Sequence, residues 1–216
     1  MNYNDFVFWC VFLVLAAIIF FLDKKFYLLR DIATASPRSF SFSRVQLSWW
    51  TSIVLSALVT IMITKNVQIP DLNNSTLYLL GISSATTIGS TLIDVSDQSN
   101  PSLPPSTDNY KGQNFFLDIL SDKNGVNVHR LQTVVFNLVF GIWFIINFLL
   151  RIKNPALKID DIIPTITNNN LILLGVSSGV YTALKTTENK QITITPPAAN
   201  TTVSPAVNNI QPTTPQ

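Results

Sequence analysis

The sequence contains few of the residues on which soluble enzymes and nucleic-acid-binding proteins depend. Charged residues make up 12% of the 216 residues, about half the share of a typical soluble domain, and the net charge is only +2. One cysteine, Cys10, excludes an internal disulfide and a cysteine metal cluster, and His129 is the only histidine. We therefore predict no metal site, no cofactor and no nucleic-acid partner.

Hydrophobic residues, in contrast, make up 47% of the sequence and are concentrated in long runs. A membrane-spanning helix needs about 20 mostly apolar residues. Five runs are candidates, of which the third and fifth are richer in Ser and Thr: Phe6–Leu22, Val45–Thr64, Pro70–Ile93, Leu131–Leu150 and Pro164–Leu184. We predict an all-α integral membrane protein with about five transmembrane helices and with the lipid bilayer as a partner.

The basic residues predict the orientation of these spans. No Lys or Arg precedes the first run, and Lys24 and Lys25 follow it directly, without the cleavage site of a secretory signal. With the N-terminus outside, ten Lys and Arg residues fall in inner segments and four in outer loops, in agreement with the positive-inside rule. We predict a multi-pass protein of the cell membrane, with its N-terminus outside and its C-terminus in the cytoplasm.

The chain also contains an internal repeat. LLGISSATT at Leu79–Thr87 matches LLGVSSGVY at Leu173–Tyr181. Pro70 and Pro164 precede the two matches at equal distances, and proline favours the first turn of a helix. An Arg-x-Gln pattern precedes the first span of each copy, and its inner-interface residues are Arg44, Gln46, Arg130 and Gln132. We predict two tandem hairpin units related by an axis along the membrane normal.

The repeat divides the chain into five parts. Each copy begins with a short aromatic and acidic stretch, Phe26–Ile32 or Phe115–Leu120, which we expect to lie as an amphipathic segment on the inner membrane face. The extra residues between Arg151 and Pro164 fall in an outer loop, where insertions are tolerated. The parts are an N-terminal transmembrane helix (1–25), repeat 1 (26–93), an inner linker (94–114), repeat 2 (115–184) and a disordered Thr/Asn/Pro-rich tail (185–216).

Residues Gly175–Gly179 fit the G-x-S-x-G pattern that surrounds the nucleophile of many serine hydrolases. That pattern needs a strand, a sharp turn and a helix, whereas here it lies in the middle of a predicted helix. The small residues instead recur every four positions in both copies, a spacing that lets another helix backbone approach closely. We therefore predict no catalytic residue and two helix-packing stripes. These are the first small-residue stripe, Gly81, Ala85 and Gly89, and the second small-residue stripe, Gly175, Gly179 and Ala183.

Hydroxyl side chains form a second face of the third span. At helical spacing this possible pore-lining face contains Thr76, Ser83, Thr87 and Ser90, followed by Asp94. Such a face either lines a water path or bonds to its own helix carbonyls and to neighbouring helices, and we favour the second interpretation. Asn137, in the fourth span, is expected to bond a neighbouring helix.

Four stretches resemble a group of multi-pass bacterial membrane proteins of unassigned activity. They are S-R-V-Q at Ser43–Gln46, G-I-S-S-A-T at Gly81–Thr86, D-I-L-S-D-K-N-G-V-N-V-H-R-L-Q at Asp118–Gln132, and G-V-S-S-G-V-Y at Gly175–Tyr181. The third stretch is the most specific, and Ser84 stands where the group has Ala. The resemblance extends over most of 26–184 and implies this fold and a bacterial inner membrane. It implies no activity, catalytic residue or cofactor.

The predicted function is that of a non-catalytic membrane scaffold or anchor subunit. It would associate with itself or with another membrane protein through its small-residue stripes. The alternative is a small homo-oligomeric ion channel or pore lined by the Ser/Thr face of the third helix. Five helices with few polar residues cannot enclose a pore alone, so the channel requires a ring of copies and the scaffold does not.

Overall fold

The computed structural model describes residues 2–32, 37–99, 112, 114–122 and 125–188, and helices dominate this part of the chain. The α-helices are α1 (Tyr3–Phe26), α2 (Phe42–Thr64), α3 (Asn74–Gln98), α4 (Phe115–Leu120), α5 (Val128–Arg151) and α6 (Asn168–Glu188). Two short strands, β1 (Ser121–Asp122) and β2 (Gly125–Val126), pair in an antiparallel hairpin before α5. A single 3₁₀ turn, Ile159–Asp161, lies between α5 and α6.

Four helices are long and apolar enough to cross a membrane. They are α1, α2, α5 and residues Asn74–Asp97 of α3, each of 23 or 24 residues. At 1.5 Å per residue such a helix is about 35 Å long, which exceeds the hydrocarbon core of about 30 Å. An all-α architecture of the membrane type is therefore confirmed. The fifth predicted run forms α6, which is not one of the four because its Asn, Ser and Thr residues lower its apolar content.

Asparagine side chains cap three of the helices, α3, α4 and α5. Asn73 Oδ1 accepts the Thr76 amide at 2.9 Å and caps α3, as expected for an N-cap residue. The prediction that Pro70 and Pro164 lie in the first turns of helices is wrong. The helices α3 and α6 begin at Asn74 and Asn168, four residues after these prolines.

Helices α2, α3, α5 and α6 form a bundle, and α1 packs on its outside against α2. Helix α3 contacts α2 and α6, and α5 contacts the same two helices. The ends of α1, α3 and α6 lie at one end of the bundle, since Lys185 Nζ is 2.9 Å from Asp94 Oδ2 and 3.3 Å from Asp31 Oδ1. We call it the basic end because seven of the eleven described Lys and Arg residues belong to it: Lys24, Lys25, Arg30, Arg38, Arg44, Arg130 and Lys185.

The hydrophobic core extends to the opposite end of the bundle. Its centre is aromatic, with Trp50, Phe144 and Phe148 fully buried between α2 and α5. The residues between Arg151 and Pro164 were expected to form a tolerant outer loop, but Ile152, Ile162 and Ile163 are each 1% exposed. This inserted segment therefore completes the core.

The same segment is bonded to the start of α1. Asn4 Nδ2 donates to the carbonyl oxygen of Ile152 at 3.4 Å, and Lys153 Nζ lies 2.9 Å from Asp5 Oδ2. Helix α1 is therefore held at this end by residues that follow α5, in addition to its packing on α2.

The two predicted interfacial segments have different structures. The second forms α4 with the predicted bounds, Phe115–Leu120. The first, Phe26–Ile32, is not a helix: Phe26 ends α1, and Tyr27 takes a left-handed conformation with φ of 57°. Arg30 then forms an antiparallel bridge with Phe40. The Leu29 amide donates to Asp23 Oδ1 at 3.0 Å, which folds the chain back on the end of α1.

Most of the predicted linker and tail lies outside the described residues. Helix α3 continues to Gln98 and α6 to Glu188, so both extend beyond the predicted ends at Ile93 and Leu184. Residues 100–111, 113 and 189–216, which hold the rest of the linker and of the tail, are not described.

Candidate functional site: the groove between helices α3 and α6

The two small-residue stripes lie on neighbouring helices. A Cβ atom added at Gly89 on α3 would lie 3.1 Å from Thr182 Cγ2 on α6, and one added at Gly175 would lie 3.5 Å from Ile82 Cδ1. These two glycines therefore lie in the contact between α3 and α6, where the absence of a side chain allows the helices to approach closely.

The other members of the stripes are open to the outside in the part of the chain that the structure describes. A Cβ atom added at Gly81 or Gly179 would have no atom within 4 Å, and Ala85 and Ala183 are exposed. An open groove of about 470 Å³ lies between the two helices, with Ala85, Gly179 and Ala183 among its lining residues. The stripes are therefore partly used for internal packing and partly open.

The hydroxyl face of α3 lies inside the bundle, against α2. Thr76 and Ser83 are 0% exposed and Ser90 is 1% exposed. Ser90 Oγ lies 2.7 Å from Ser43 Oγ of α2, and Thr87 Oγ1 donates to the carbonyl oxygen of Ser43 at 3.0 Å. Ser83, Thr87 and Ser90 also donate to carbonyl oxygens of α3 itself. The face thus joins two helices of one chain.

Two amide side chains connect the helices deeper in the bundle. Trp50 Nε1 of α2 donates to Asn137 Oδ1 of α5 at 2.7 Å, which confirms that Asn137 bonds a neighbouring helix. Gln46 Nε2 of α2 donates to Ser178 Oγ of α6 at 3.0 Å. Gln46 is only 3% exposed, so this hydrogen bond is made away from water.

The four inner-interface residues all lie near the basic end but differ in their surroundings. Arg44 is half-buried and donates to the carbonyl oxygen of Leu28 at 3.5 Å, and Gln46 points into the bundle. In the second copy the positions are exchanged, because Arg130 is buried and Gln132 is exposed. The guanidinium of Arg130 lies 5.2 Å from the centre of the Tyr181 ring.

The G-x-S-x-G residues lie within α6, without the strand and sharp turn of a hydrolase site. Ser177 is 7% exposed, and its carbonyl oxygen accepts from Thr133 Oγ1 at 3.4 Å. His129 is exposed at the start of α5. In the part of the chain that the structure describes, no group of three His, Cys, Asp or Glu side chains is placed to hold a metal ion.

Sequence reasoning missed two features of the packing. A Cβ atom added at Gly141 of α5 would lie 2.7 Å from Trp49 Cε2, so this glycine makes room for an indole of α2. The sequence did contain an indication of this contact, because Gly141 is the only glycine of the fourth run. Lys185 was assigned to the tail but is 5% exposed between Asp31 and Asp94. Its partners are 154 and 91 residues away in sequence, so no local pattern indicates them.

No protein-family model, curated protein or solved structure matches the chain.

Proposed function

We propose that the chain is a non-catalytic membrane scaffold or anchor subunit whose copies associate through the α3–α6 groove. The observation that carries the proposal is the open space beside Gly179, between the exposed Ala85 and Ala183. In a bilayer, lipid tails are as apolar as leucine, so helices associate through close backbone packing. Gly and Ala in the walls of an open groove allow the backbone of a further transmembrane helix to approach closely, and this close packing stabilises the association.

The helix that fits this groove is α1 of a second copy. Val14, Ile18 and Phe21 are 58%, 48% and 61% exposed and lie on one face of α1 at helical spacing. Because α1 and α6 both end at the basic end, they run in the same direction. Val14 and Gly179 are each the twelfth residue of their helices, so they lie at similar depths in a common membrane.

A contact between α1 of one copy and the groove of another is heterologous, because it uses different surfaces on the two copies. Such contacts generate closed rings or open chains. This property suits a scaffold, since each added copy presents a further groove. The helix that occupies the groove comes from another copy of the same protein, so no different protein is needed for assembly.

The orientation and the repeat belong to the same proposal. The excess of Lys and Arg at the basic end favours a cytoplasmic position for that end, with the N-terminus outside. The pairs α2–α3 and α5–α6 follow each other in the same order, and Gly81 and Gly175 are each the eighth residue of their helices. The proposed location is the bacterial inner membrane, by resemblance.

The channel alternative has less support. A pore between copies requires the hydroxyl face of α3 to be exposed, whereas Ser83 and Ser90 are buried against α2. Their hydroxyl groups are already hydrogen-bonded to protein atoms, so lining a pore would require α3 to rotate away from α2.

Cysteine cross-linking tests the proposed contact directly. Val14→Cys and Gly179→Cys are introduced into separate tagged copies in a Cys10→Ser background, and both copies are expressed together in membranes. Oxidation should yield a disulfide-linked pair containing both tags. The matched control replaces Gly179→Cys with Val180→Cys, the adjacent exposed residue outside the groove. Equal cross-linking of the two cysteines would overturn the proposed contact.

The mass of the intact assembly in a native membrane mimic provides the second test. The assembly of the unsubstituted protein should contain at least two copies of the chain. Gly179→Leu should give a monomer because the leucine side chain fills the groove. Val180→Phe, which adds bulk at the adjacent exposed residue outside the groove, should leave the assembly unchanged. A monomeric unsubstituted protein would contradict the scaffold proposal.

A further inference from the structure

A second cavity lies on the other side of the molecule, between α1, α2 and the chain that connects them. Its volume is about 550 Å³, within the range of small-molecule sites. Its walls are almost entirely apolar and include Phe12, Ala16 and Ile19 of α1 and Val45 and Trp49 of α2. The face of α1 formed by residues 12, 16 and 19 is opposite the face formed by 14, 18 and 21. The cavity is therefore separate from the surface proposed for assembly.

The charged residues of the cavity are confined to its mouth at the basic end. They are Asp23, Lys24 and Arg30, so cations outnumber anions by two to one. Arg30 is held in place, because its Nη1 donates to the carbonyl oxygen of Arg38 at 3.0 Å and its guanidinium lies 4.3 Å from the centre of the Phe40 ring.

The cations at the mouth are only partly neutralised. Arg30 Nε is 3.5 Å from Asp23 Oδ2, a long distance for a charge-assisted hydrogen bond. Asp23 also accepts the Leu29 amide. Lys24 has no ion pair among the described side chains, and its Nζ lies 4.6 Å from the centre of the Phe20 ring. An anionic group at the mouth would therefore interact with two cations, Lys24 and Arg30. The one carboxylate nearby, that of Asp23, already accepts a backbone amide.

The length of the cavity suits one lipid chain. From Lys24 at the mouth to Phe12 at the far wall there are twelve residues of α1, or about 18 Å of helix. Half of the hydrocarbon core is about 15 Å thick. A hydrocarbon chain with its polar group at the basic end would therefore extend along most of the cavity within its own leaflet.

We propose that this cavity binds one anionic phospholipid. Its phosphate lies between Lys24 and Arg30, and one acyl chain lies along α1 and α2 against Ala16 and Trp49. Binding places a lipid between the first helix and the bundle. The proposal does not depend on the α3–α6 groove or on assembly.

Tryptophan fluorescence provides a direct test because Trp49 lines the cavity. Trp9 and Trp143 are exposed and would report on bulk lipid, so they are replaced by Phe. The fully buried Trp50 remains as a background. The protein is reconstituted in phosphatidylcholine vesicles with a small fraction of brominated lipid, which quenches a tryptophan that it touches. Brominated phosphatidylglycerol should quench Trp49 at lower mole fractions than brominated phosphatidylcholine.

Charge variants test the mouth. Because each Lys or Arg close to an anionic lipid contributes roughly fivefold in affinity, Lys24→Gln should reduce the preference for phosphatidylglycerol by about that factor. Arg30→Gln should do the same, and Arg30→Lys should retain most of the preference. Lys65→Gln, at the opposite end of the bundle, should have no effect.

Steric variants test the apolar part of the cavity. Ala16→Phe should lower quenching by brominated phosphatidylglycerol, whereas Ala17→Phe, on the next residue but outside the lining, should not. Helix content by circular dichroism must be the same in all variants. Equal quenching by the two brominated lipids, or a preference that survives both Lys24→Gln and Ala16→Phe, would overturn the proposal.

Discussion

Helices α2 and α5 begin with the same Arg-x-Gln pattern, yet the two patterns lie in different surroundings. Gln46 on α2 is buried and bonded to Ser178, whereas Gln132 on α5 is exposed. The arginines show the reverse, since Arg44 is partly exposed and Arg130 is buried. The difference follows from the packing of each helix on α6, since Gln46 donates to Ser178 and the Arg130 guanidinium lies 5.2 Å from the centre of the Tyr181 ring. A repeated sequence therefore specifies where a helix begins, while its neighbours decide which face is buried.

Among substitutions at matched positions of the two repeat copies, we expect the largest difference in unfolding free energy at the end of α6. Lys185 pairs with Asp31 and Asp94, while the matched position of α3, 94 residues earlier, is Thr91. Lys185→Met would leave two carboxylates together in a largely buried place. We expect a loss of about 3 kcal/mol, the low end for breaking a buried ion pair, because Asp31 is 26% exposed.

The measurement is the free energy of unfolding in detergent micelles, followed by circular dichroism. Thr91→Val serves as the control and should change this free energy very little. Equal losses for the two variants would mean that the ion pairs at the basic end do not stabilise the fold.

Substitutions at Asn137 on α5 and at Thr51 should differ less in their effect on the unfolding free energy. Thr51 is the matched residue on α2, 86 residues earlier. Asn137→Leu removes the acceptor of the Trp50 indole, which is buried. We expect a cost of about 1.5 kcal/mol, near the upper limit for a hydrogen bond between membrane helices. The emission of Trp50 should also change, because its N–H loses its partner.

Thr51 is exposed, so Thr51→Val should leave both the unfolding free energy and the emission unchanged. A stable Asn137→Leu variant with unaltered emission would show that this hydrogen bond contributes nothing.

The smallest effect should come from the glutamine pair itself. Gln46→Leu loses the bond to Ser178 but also removes Gln46 Oε1, a buried atom with no partner among the described residues. These changes partly cancel, and we expect a loss of about 0.5 kcal/mol, the lower end for a hydrogen bond. Gln132→Leu should have no measurable effect in the same unfolding experiment. A larger loss for Gln132→Leu than for Gln46→Leu would contradict the assigned environments.

Local composition was sufficient to predict the helices, because runs of about 20 apolar residues have few other structures available. The bounds of α4 and the bonding of Asn137 were also predictable. The helix starts near Pro70 and Pro164 were misplaced by four residues, and at α3 the cap is Asn73, whose side chain accepts the Thr76 amide. The fold-back after α1 was missed because it depends on Asp23 accepting the Leu29 amide, which no periodicity indicates.

The candidate site was predicted only in part. The four-residue spacing of Gly and Ala identified the stripes. It did not indicate which members pack in the contact between α3 and α6 and which remain open. Gly89 is within reach of Thr182 and Gly179 is open, although the two belong to the same pattern. The distinction depends on how α3 and α6 cross, and the crossing is set by contacts far apart in sequence. The burial of the hydroxyl face and the pairing of Lys185 have the same origin.

The inserted segment after α5 has a consequence for the order in which the protein is made. Asn4 and Asp5, which are synthesised well before the second half of the chain, bond to Ile152 and Lys153. The buried isoleucines 162 and 163 are synthesised later still. During synthesis α1, α2 and α3 therefore enter the bilayer before any of these contacts exist. The first three helices can already pack on one another through α2, but the start of α1 gains these partners only when the second half of the chain arrives.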